Sequence, residues 1–365
     1  MGGGEEKYVK EAFETNWVAP LGPNVNGFEE DLASYINYNS NVACLSSGTA
    51  ALHLALILSD VKLNDEVICQ SMTFSASANP IVYQGAKPIF IDSEKDTWNM
   101  CPYYLENAIK ERISKGKKPK AIIVVHLYGM PAKMDEISAV AKKYEITLIE
   151  DAAEALGSTY KGRKCGTFGD FGILSFNGNK IITTSGGGAL VCKTNESKQK
   201  AIFLATQARD DAPHYQHSEI GYNYRMSNIV AGIGRGQMEV LGKHVDFRRK
   251  NNRFYQNLFN NTEGIEVFSE SSKDYFSNHW LSCIVVDKQK TGFSNDDIRL
   301  KLLEDNIESR PLWKPMHLQP IFKKYKYFGE MISGNLYENG LCLPSGSNLS
   351  QNELDRISNS LNYFL

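Results

Sequence analysis

A lysine lies between two apolar runs in the segment SFNGNKIITTSGGG, which covers residues 175–188. The run Gly172–Phe176 precedes Lys180 and the run Gly188–Cys192 follows it, and both have the composition of buried strands. An amine held in an enclosed site can form a Schiff base with a carbonyl group. The alternative is a solvated loop lysine, because most lysines are exposed. Lys180 is therefore a candidate for covalent bonding to a carbonyl compound.

A second candidate for chemistry is the carboxylate that closes the apolar run Ile146–Asp151. A carboxylate in an enclosed site needs a cationic partner, and a protonated ring nitrogen would supply one. The alternative role for Asp151 is the N-cap of a helix. Because Asp151 and Lys180 both follow strand ends, the two side chains are expected beyond the carboxyl edge of a sheet, where ligands bind.

Two further segments have the composition of a ligand site. The segment SSGTAA, residues 46–51, leads into a helix, and Gly48 would let a ligand approach the backbone closely. The free N–H groups and the dipole of a helix start form an anion site, although a plain N-cap is the alternative. Phe74 follows a strand end, where an aromatic ring either stacks on a planar ligand or packs in the core.

Two polar and aromatic clusters come later in the chain. The segment GYNYRMSN, residues 221–228, holds aromatic, amide and guanidinium groups that are costly to bury without a ligand or an interface. The segment RPLWKPMH, residues 310–317, combines Arg310, Trp313 and His317. A guanidinium, a flat ring and an imidazole suit a nucleotide or a phosphate, and packing between domains is the alternative.

Short apolar runs alternate with helical patterns over the first half of the chain. The predicted strands are Glu66–Gln70, Pro88–Asp92, Ala121–Leu127, Ile146–Asp151, Gly172–Phe176 and Gly188–Cys192. Continuous apolar strands separated by helices indicate an α/β fold with a sheet covered on both faces.

The pattern changes after a long helix predicted over Arg235–Asn261. Beyond it the sequence predicts a strand at His279–Val286 and two helices that begin with capping boxes, at Ser294 and Ser350. The 365 residues exceed the usual size of a single core. We therefore predict a large domain at residues 1–245 and a smaller one at residues 246–365.

Composition disfavours several classes of function. The formal net charge of −2 gives no reason to expect nucleic acid or an anionic membrane as a partner. The seven cysteines show no CxxC or Cys/His ligand spacing, so neither a metal site nor a disulfide framework is predicted. The N-terminal residues contain no apolar segment of the kind found in secretion signals. We expect a cytoplasmic protein.

Taken in order, the candidate residues fit one cofactor: an anion site at a helix start, an aromatic, an aspartate, and then a serine and a lysine. With these motifs the chain resembles the DegT/DnrJ/EryC1/StrS family of pyridoxal-phosphate-dependent sugar aminotransferases. The resemblance extends from Glu5 to the C-terminus. The motifs that carry it are SSGTAALHLAL, EDAAEALGS, SFNGNKIITTSGGG, GYNYRMSN and RPLWKPMH.

The resemblance implies an aspartate-aminotransferase-type fold (fold type I). Such a fold has a large domain with a mixed, mostly parallel sheet and a smaller C-terminal α/β domain. It also implies a homodimer with shared active sites. Lys180 would bond covalently to pyridoxal 5'-phosphate, Asp151 would pair with the pyridine nitrogen, and Phe74 would stack on the ring. The other cofactor contacts would come from Gly48, Thr49, Glu154, Ser175 and, from the partner subunit, Asn223.

Within the family, the motifs GNKIITTSGGG and PSGS (residues 344–347) are most similar to enzymes that aminate C4 of UDP-linked 4-keto-6-deoxy-N-acetylglucosamine. Those enzymes serve bacillosamine and legionaminic acid pathways, which implies a nucleotide-sugar substrate and an amino-acid donor, expected to be glutamate. The substrate contacts are predicted at Trp17, Arg310, Trp313 and His317.

Three alternatives to this interpretation are considered, and the sequence argues against the second and third. The first is a GDP- or dTDP-linked ketosugar substrate, aminated at C3 or C4. The second is a dehydratase on the same fold, but the dehydratases of this family have histidine in place of the lysine. The third is a regulator without enzymatic activity, which would not need Asp151, Ser175 and Lys180 together.

Two positions depart from the family pattern. Position 154 is glutamate, where most members have glutamine or histidine. A carboxylate beside the cofactor phenolate would be repulsive unless it were protonated or turned away. The chain also begins abruptly with MGGGEE, where family members usually have about eight earlier residues, so a truncated start is expected.

Overall fold

The computed structural model describes residues 1–36 and 41–365 of the chain. Its longer strands are apolar, and helices separate most of them along the chain. In chain order, the strands of the described residues are β1 (Asn41–Leu45), β2 (Glu66–Gln70), β3 (Lys87–Ile91), β4 (Ala121–Val125), β5 (Thr147–Asp151), β6 (Thr159–Tyr160), β7 (Arg163–Lys164), β8 (Phe171–Ser175), β9 (Gly188–Cys192), β10 (Ile265–Val267), β11 (Tyr275–Phe276), β12 (Ser282–Val286), β13 (Arg310–Pro311), β14 (Tyr327–Phe328) and β15 (Gly340–Leu343).

The α-helices range from single turns to the long helix that leads out of the main sheet region. In chain order, those of the described residues are α1 (Glu5–Glu14), α2 (Pro23–Tyr35), α3 (Gly48–Leu58), α4 (Asn79–Tyr83), α5 (Pro102–Ser114), α6 (Met134–Lys143), α7 (Asn195–Ala205), α8 (Asn228–Met238), α9 (Leu241–Phe259), α10 (Lys288–Thr291), α11 (Asn295–Glu304), α12 (Ile332–Asn339) and α13 (Gln351–Leu361).

The largest sheet has eight strands in the order β1, β9, β8, β5, β4, β2, β3, β14. All neighbours from β8 to β14 in that order are parallel, whereas β9 is antiparallel to both β8 and β1. Alternate residues of β4 belong to two cores: Ile123 packs with residues of α3, and Ile122 packs with residues of α5 and α6. Helices therefore cover both faces, which explains the continuous apolar runs of these strands. The predicted mixed, mostly parallel sheet is confirmed.

The C-terminal part of the chain forms a second, four-stranded antiparallel sheet in the order β10, β12, β15, β13. Its core joins Tyr255 of α9, Ile298 of α11 and Ile357 of α13 to the strands. The capping boxes predicted at Ser294 and Ser350 are both present. In a third, three-stranded sheet, β6 pairs with both β11 and β7.

Four predicted strands differ from the structure by one or two residues at their ends, and two predicted elements were wrong by more. The long helix predicted over Arg235–Asn261 is interrupted, because α8 packs against α1 and α2 and the backbone leaves helical geometry at Val240 before α9 begins. The strand predicted at His279–Val286 begins only at Ser282. His279 has a positive φ of 47°, so the residues before Ser282 form a turn instead of a strand.

The two-domain division at residues 245 and 246 stays a prediction. That boundary lies inside α9. In addition, β14 comes from the predicted C-terminal domain but pairs with β3 at the edge of the eight-stranded sheet. Asp92, which follows β3, accepts hydrogen bonds from the backbone N–H groups of Ile332 and Ser333, each at 2.9 Å. The segment after β14 is thereby attached to the large sheet.

Across residues 1–36 and 41–365, no helix has both the length and the apolar character that crossing a bilayer requires.

Candidate active site

A cavity of about 1340 Å³ opens at one edge of the eight-stranded sheet. Val125, Asp151 and Ser175, the last residues of β4, β5 and β8, all line it. These strands are adjacent and parallel, so their carboxyl ends meet at the same edge. This edge is where α/β sheets bind ligands, and the chain places its predicted reactive residues there.

The start of α3 forms one end of the cavity. The Ser47 side chain caps this helix by accepting a hydrogen bond from the Ala50 N–H at 3.0 Å, and Gly48 and Thr49 line the cavity. The first amides of a helix have no partner within the helix, and the helix dipole is positive at this end. The hydroxyl-bearing residues Thr49 and Ser175 lie at the same place, so the donor set suits a phosphate.

Two glycines allow this close approach of helix and strands. A Cβ added to Gly48 would lie 3.1 Å from the Ser175 Cβ, and one added to Gly188 would lie 2.3 Å from the Gly48 nitrogen. Gly188 is also the direct partner of Ser175 across β8 and β9. Any side chain at position 188 would therefore collide with the helix start and displace the anion site.

Asp151 is buried without a full countercharge among its hydrogen-bond partners. Its side chain accepts hydrogen bonds from the Ser77 hydroxyl at 2.6 Å and from the Ala153 N–H at 3.2 Å. Only 7% of the residue is exposed. A buried carboxylate with two neutral donors is well suited to a cationic ring nitrogen, because burial of an uncompensated charge is costly.

Lys180 lies in the same cavity, as the sequence predicted. Its Nζ is 3.3 Å from Glu154 Oε1 and 4.3 Å from the centroid of the Trp280 ring. The other carboxylate oxygen of Glu154, Oε2, accepts a hydrogen bond from the Tyr128 N–H at 2.7 Å. The lysine side chain is 12% exposed, so the solvated alternative is excluded for this geometry.

Glu154 has an unusual protonation equilibrium for a carboxylate. Burial raises its pKa to about 7, and this effect outweighs the opposing influence of the Lys180 charge and the Tyr128 N–H, which lower the pKa. A substantial fraction of Glu154 is therefore protonated near neutral pH. Glutamate at position 154, where most family members have glutamine or histidine, is therefore compatible with a nearby phenolate. A protonated carboxyl group donates a hydrogen bond to a phenolate instead of repelling it.

Aromatic side chains contribute to the lining of the cavity. Phe74 lines the cavity and is 57% exposed, so its ring is available to a planar ligand. Its centroid is 5.6 Å from that of Trp313, which in turn lies 5.1 Å from that of Tyr128. The backbone N–H of Trp313 donates a hydrogen bond to the Tyr128 hydroxyl at 2.9 Å, which holds these two aromatic residues together.

Three cations line the outer part of the cavity in addition to Lys180. Arg310 is largely exposed and is paired with Glu308. Lys314 follows on the same segment, and Arg299 comes from α11. The Arg299 side chain is only 29% exposed, and its Nε donates to Asp296 at 2.6 Å. Positive groups at this position suit an anionic substrate.

Three predicted site residues do not line the cavity. His317 is stacked on Tyr327 with centroids 3.8 Å apart, and its Nδ1 is 2.6 Å from the Ser71 hydroxyl. Trp17 lies after α1, with its carbonyl bonded by an asparagine side chain of α8. Asn223 is exposed on the surface of the subunit. The roles assigned to these three residues, like those assigned to the residues that line the cavity, stay predictions.

Three residues that contribute to the geometry were missed. Ser77 was predictable, since it follows Phe74 closely in a polar turn after a strand end. Tyr128 adopts a positive φ of 55°, which no pattern in the sequence indicates. Trp280 was assigned to a strand because it stands just before an apolar run.

The sequence model of the DegT/DnrJ/EryC1/StrS aminotransferase family matches residues 1–362. The chain belongs to this family. One relative is EpsN of Bacillus subtilis (strain 168), which is named as a proposed pyridoxal phosphate-dependent aminotransferase; it is 52% identical over 361 residues, which cover 98% of this chain and 92% of the relative. Another is the GDP-perosamine synthase of Escherichia coli O157:H7, 37% identical over 362 residues, which cover 99% and 96%.

A solved structure supports the same assignment. The crystal structure of a DegT DnrJ EryC1 StrS aminotransferase from Brucella abortus matches with a TM-score of 0.90 at 28% identity, over 99% of this chain and 95% of that chain. The chain is therefore a sugar aminotransferase of fold type I, and its cofactor is pyridoxal 5'-phosphate. The residues of the cavity fit that cofactor, with an amine, a carboxylate, an exposed aromatic ring and an anion site in one place.

The raised pKa of Glu154 predicts a pH-dependent stability of the cofactor-free protein. Its folded-state pKa of about 7 lies above the ordinary value of 4.5, so the folded state binds the extra proton between these values. Stability is then lost as pH rises toward 7. Relative to Glu154→Gln, the wild type should lose about 2 kcal/mol of unfolding free energy between pH 5.5 and 8.

Denaturant unfolding of both proteins across this pH range measures the effect. Glu338→Gln, which alters an exposed glutamate of α12, is the matched control and should follow the wild type. Parallel curves for the wild type and Glu154→Gln would contradict the expected titration.

Proposed function

We propose that this aminotransferase moves an amino group from glutamate to C4 of a UDP-linked 2-acetamido-2,6-dideoxy-4-ketohexose. One observation carries the proposal: both motifs that resemble the C4 enzymes contribute to the cavity that holds Lys180. Asn179, Gly186 and Gly187 come from the first motif and Pro344 and Ser345 from the second. The segments that distinguish this subgroup in sequence are therefore those that a sugar in the cavity would contact.

The proposed roles begin with Lys180. Bound pyridoxal phosphate supplies an aldehyde that exchanges amino groups and a ring that withdraws electrons from the reacting carbon. Lys180 would hold the cofactor covalently at rest. Once released by the donor amine, its Nζ would move a proton between the donor Cα and the cofactor C4′, as general base and then general acid. Its burial beside Glu154 keeps the amine within the cavity for this step.

The other residues hold the cofactor in place. Asp151 would keep the ring nitrogen protonated, which is the state in which the ring withdraws electrons best. The amides of Gly48 and Thr49, with the hydroxyls of Thr49 and Ser175, would bind the phosphate, and Phe74 would stack on the ring. Glu154 in its protonated form would donate a hydrogen bond to the phenolate oxygen.

The role of Lys180 gives the first test of this proposal. Lys180→Ala should fold and bind some cofactor non-covalently, but it should lose the visible absorbance of the lysine-bound cofactor and all turnover. Lys161→Ala removes a lysine that is paired on the surface with Asp135 and serves as the control. Retention of both the absorbance band and the activity in Lys180→Ala would rule out the proposed attachment.

A second candidate substrate is a GDP-linked ketosugar. The observation in its favour is the 37% identity to a GDP-perosamine synthase, a name that specifies a GDP-linked product. The reaction at Lys180 would be the same in both cases, so the nucleotide and the acetamido group decide between the candidates. The cations Arg299, Arg310 and Lys314 would attract the diphosphate of either nucleotide.

A panel of UDP- and GDP-linked 4-ketosugars, with glutamate as donor, tests the substrate. We expect the UDP-linked acetamido sugar to react best and NMR of the product to place nitrogen on C4. Arg310→Ala should raise the KM for the nucleotide sugar about 10-fold, because a charge-assisted contact is lost, while the KM for glutamate changes less. Arg253→Ala, at an exposed position on α9, is the control.

Two results would change the substrate assignment without affecting the role of Lys180. Preference for the GDP-linked sugar would favour the second candidate. Amination at C3 would overturn the proposed regiochemistry.

We also propose that the working unit is a homodimer in which Asn223 contacts the cofactor phosphate of the partner subunit. Asn223 is exposed, and its neighbours Tyr222 and Tyr224 are stacked at 5.0 Å and held against α3 through the contact of Tyr224 with His53 at 3.2 Å. The segment is thus rigid while its amide remains accessible. Nearby Ile220 is 83% exposed, which is unusual for an apolar side chain on a free surface and favours an interface.

Complementation between inactive variants tests the shared site. Lys180→Ala and Asn223→Ala chains are each expected to be inactive, whereas a hybrid dimer contains one site with both residues intact. After subunit exchange, an equal mixture should recover about a quarter of the wild-type activity. Subunit exchange is verified by native mass spectrometry of differently tagged chains. Proven exchange without recovery, or full activity of Asn223→Ala alone, would contradict the shared site.

A further inference from the structure

Trp280 makes two contacts with the segment that carries Lys180. Its indole N–H donates a hydrogen bond to the carbonyl oxygen of Asn179 at 2.8 Å. Its ring faces the lysine, with Lys180 Nζ 4.3 Å from the ring centroid. Trp280 is 2% exposed and lines the cavity, so both contacts are made away from bulk water. One side chain thus fixes the backbone next to the lysine and also bounds the space available to its amine.

The turn that carries Trp280 is attached to the loop that carries Glu154. Asn278 donates hydrogen bonds through Nδ2 to the carbonyl oxygens of Glu154 at 2.8 Å and Leu156 at 2.9 Å. Its Oδ1 accepts a hydrogen bond from the backbone N–H of Trp280 at 2.8 Å. The same turn therefore holds two residues that contact the Lys180 amine, Glu154 and Trp280.

This arrangement restricts a side chain that is otherwise flexible. A lysine side chain has four rotatable bonds, and fixing its amine costs conformational entropy. Among the described residues, the groups that flank Nζ are Glu154 Oε1 at 3.3 Å and the Trp280 ring at 4.3 Å. A cation over a desolvated indole face is stabilised by the electrostatic attraction of the ring, which favours one position of the amine over the others.

We infer that Trp280 is a positioning residue for Lys180, holding its amine where a carbonyl carbon bound in the cavity can reach it. The inference rests on the proposed role of Lys180 as the residue that bonds to the cofactor. It assigns to the turn between β11 and β12 a task in the aminotransferase reaction, although Trp280 itself makes no bond to the reacting atoms. Trp280 should therefore affect steps in which the Lys180 amine forms or breaks its bond to the cofactor.

Two forms of the cofactor separate positioning of the lysine from the general shape of the cavity. Pyridoxal phosphate carries the aldehyde that bonds to a lysine, whereas pyridoxamine phosphate has no aldehyde and binds without that bond. In cofactor-free protein, Trp280→Met should weaken pyridoxal phosphate binding about 10-fold, because the entropy cost of ordering the Lys180 side chain would then fall on the binding step, and leave pyridoxamine phosphate binding within about 2-fold. Equilibrium dialysis measures both dissociation constants without any turnover.

Trp280→Phe separates the two contacts of the indole and also serves if Trp280→Met does not fold. Phenylalanine keeps a ring face but lacks the N–H that binds the Asn179 carbonyl. We expect a smaller loss for pyridoxal phosphate, about 3-fold, again with pyridoxamine phosphate nearly unchanged. In turnover, both variants should lower kcat while the KM values for glutamate and the nucleotide sugar change less than kcat does.

Equal weakening of both cofactor forms in these variants would show a role in cavity shape only and overturn the inference. Wild-type binding of both forms would overturn it as well. Lys180→Ala, measured in parallel, identifies the origin of a failure. If that variant keeps the absorbance band of a lysine-bound cofactor, the proposed role of Lys180 is wrong. If it loses the band while the Trp280 variants match the wild type, only the inference about Trp280 fails.

Discussion

Two buried carboxylates in one cavity, Asp151 and Glu154, impose the constraint on which the site depends. Burying two like charges together is costly unless hydrogen bonds, opposite charges or protonation offset the cost. The two carboxylates have different partners for this purpose. Asp151 has the Ser77 hydroxyl and a backbone amide, and it remains suited to a cationic ring nitrogen. Glu154 has Lys180 and the Tyr128 amide, and its pKa near 7 lets it carry a proton. The site thus gives two carboxyl groups different surroundings, and the pKa of Glu154 is raised by its burial.

Much of this site could be predicted from sequence because its residues follow strand ends. The strands Glu66–Gln70 and Gly188–Cys192 have the bounds that their apolar runs indicated. Since parallel neighbours end at the same edge, placing Asp151 and Lys180 after strands was enough to bring them together. The helix start at Gly48 was predictable for a similar reason, because glycine and hydroxyl residues before an apolar helix form a recognisable pattern.

The rest of the site depends on contacts that leave no periodic signal. Trp280 reaches the cavity from a turn whose shape comes from the left-handed backbone of His279 and the side-chain bonds of Asn278. Tyr128, whose own backbone is also left-handed, donates its amide N–H to Glu154. Arg299 lies on α11, where a charged side chain is expected to face solvent, and only the packing of that helix beside the cavity brings it into the lining. Such contacts join residues far apart in sequence, so local patterns cannot reveal them.

The pairing of β14 with β3 has a consequence for the biogenesis of the protein. On the edge of β3 that faces β14, the Phe90 N–H donates a hydrogen bond to the Lys326 carbonyl oxygen. Most side chains of β3 are apolar. During synthesis, the ribosome releases β3 long before β14 exists. The nascent sheet therefore has an unpaired edge strand for most of translation, and unpaired edge strands can form hydrogen bonds with other chains. The C-terminal part of the chain thus acts as a protective cover for the N-terminal sheet, and a chain that ends before β14 would be an aggregation hazard rather than a smaller enzyme.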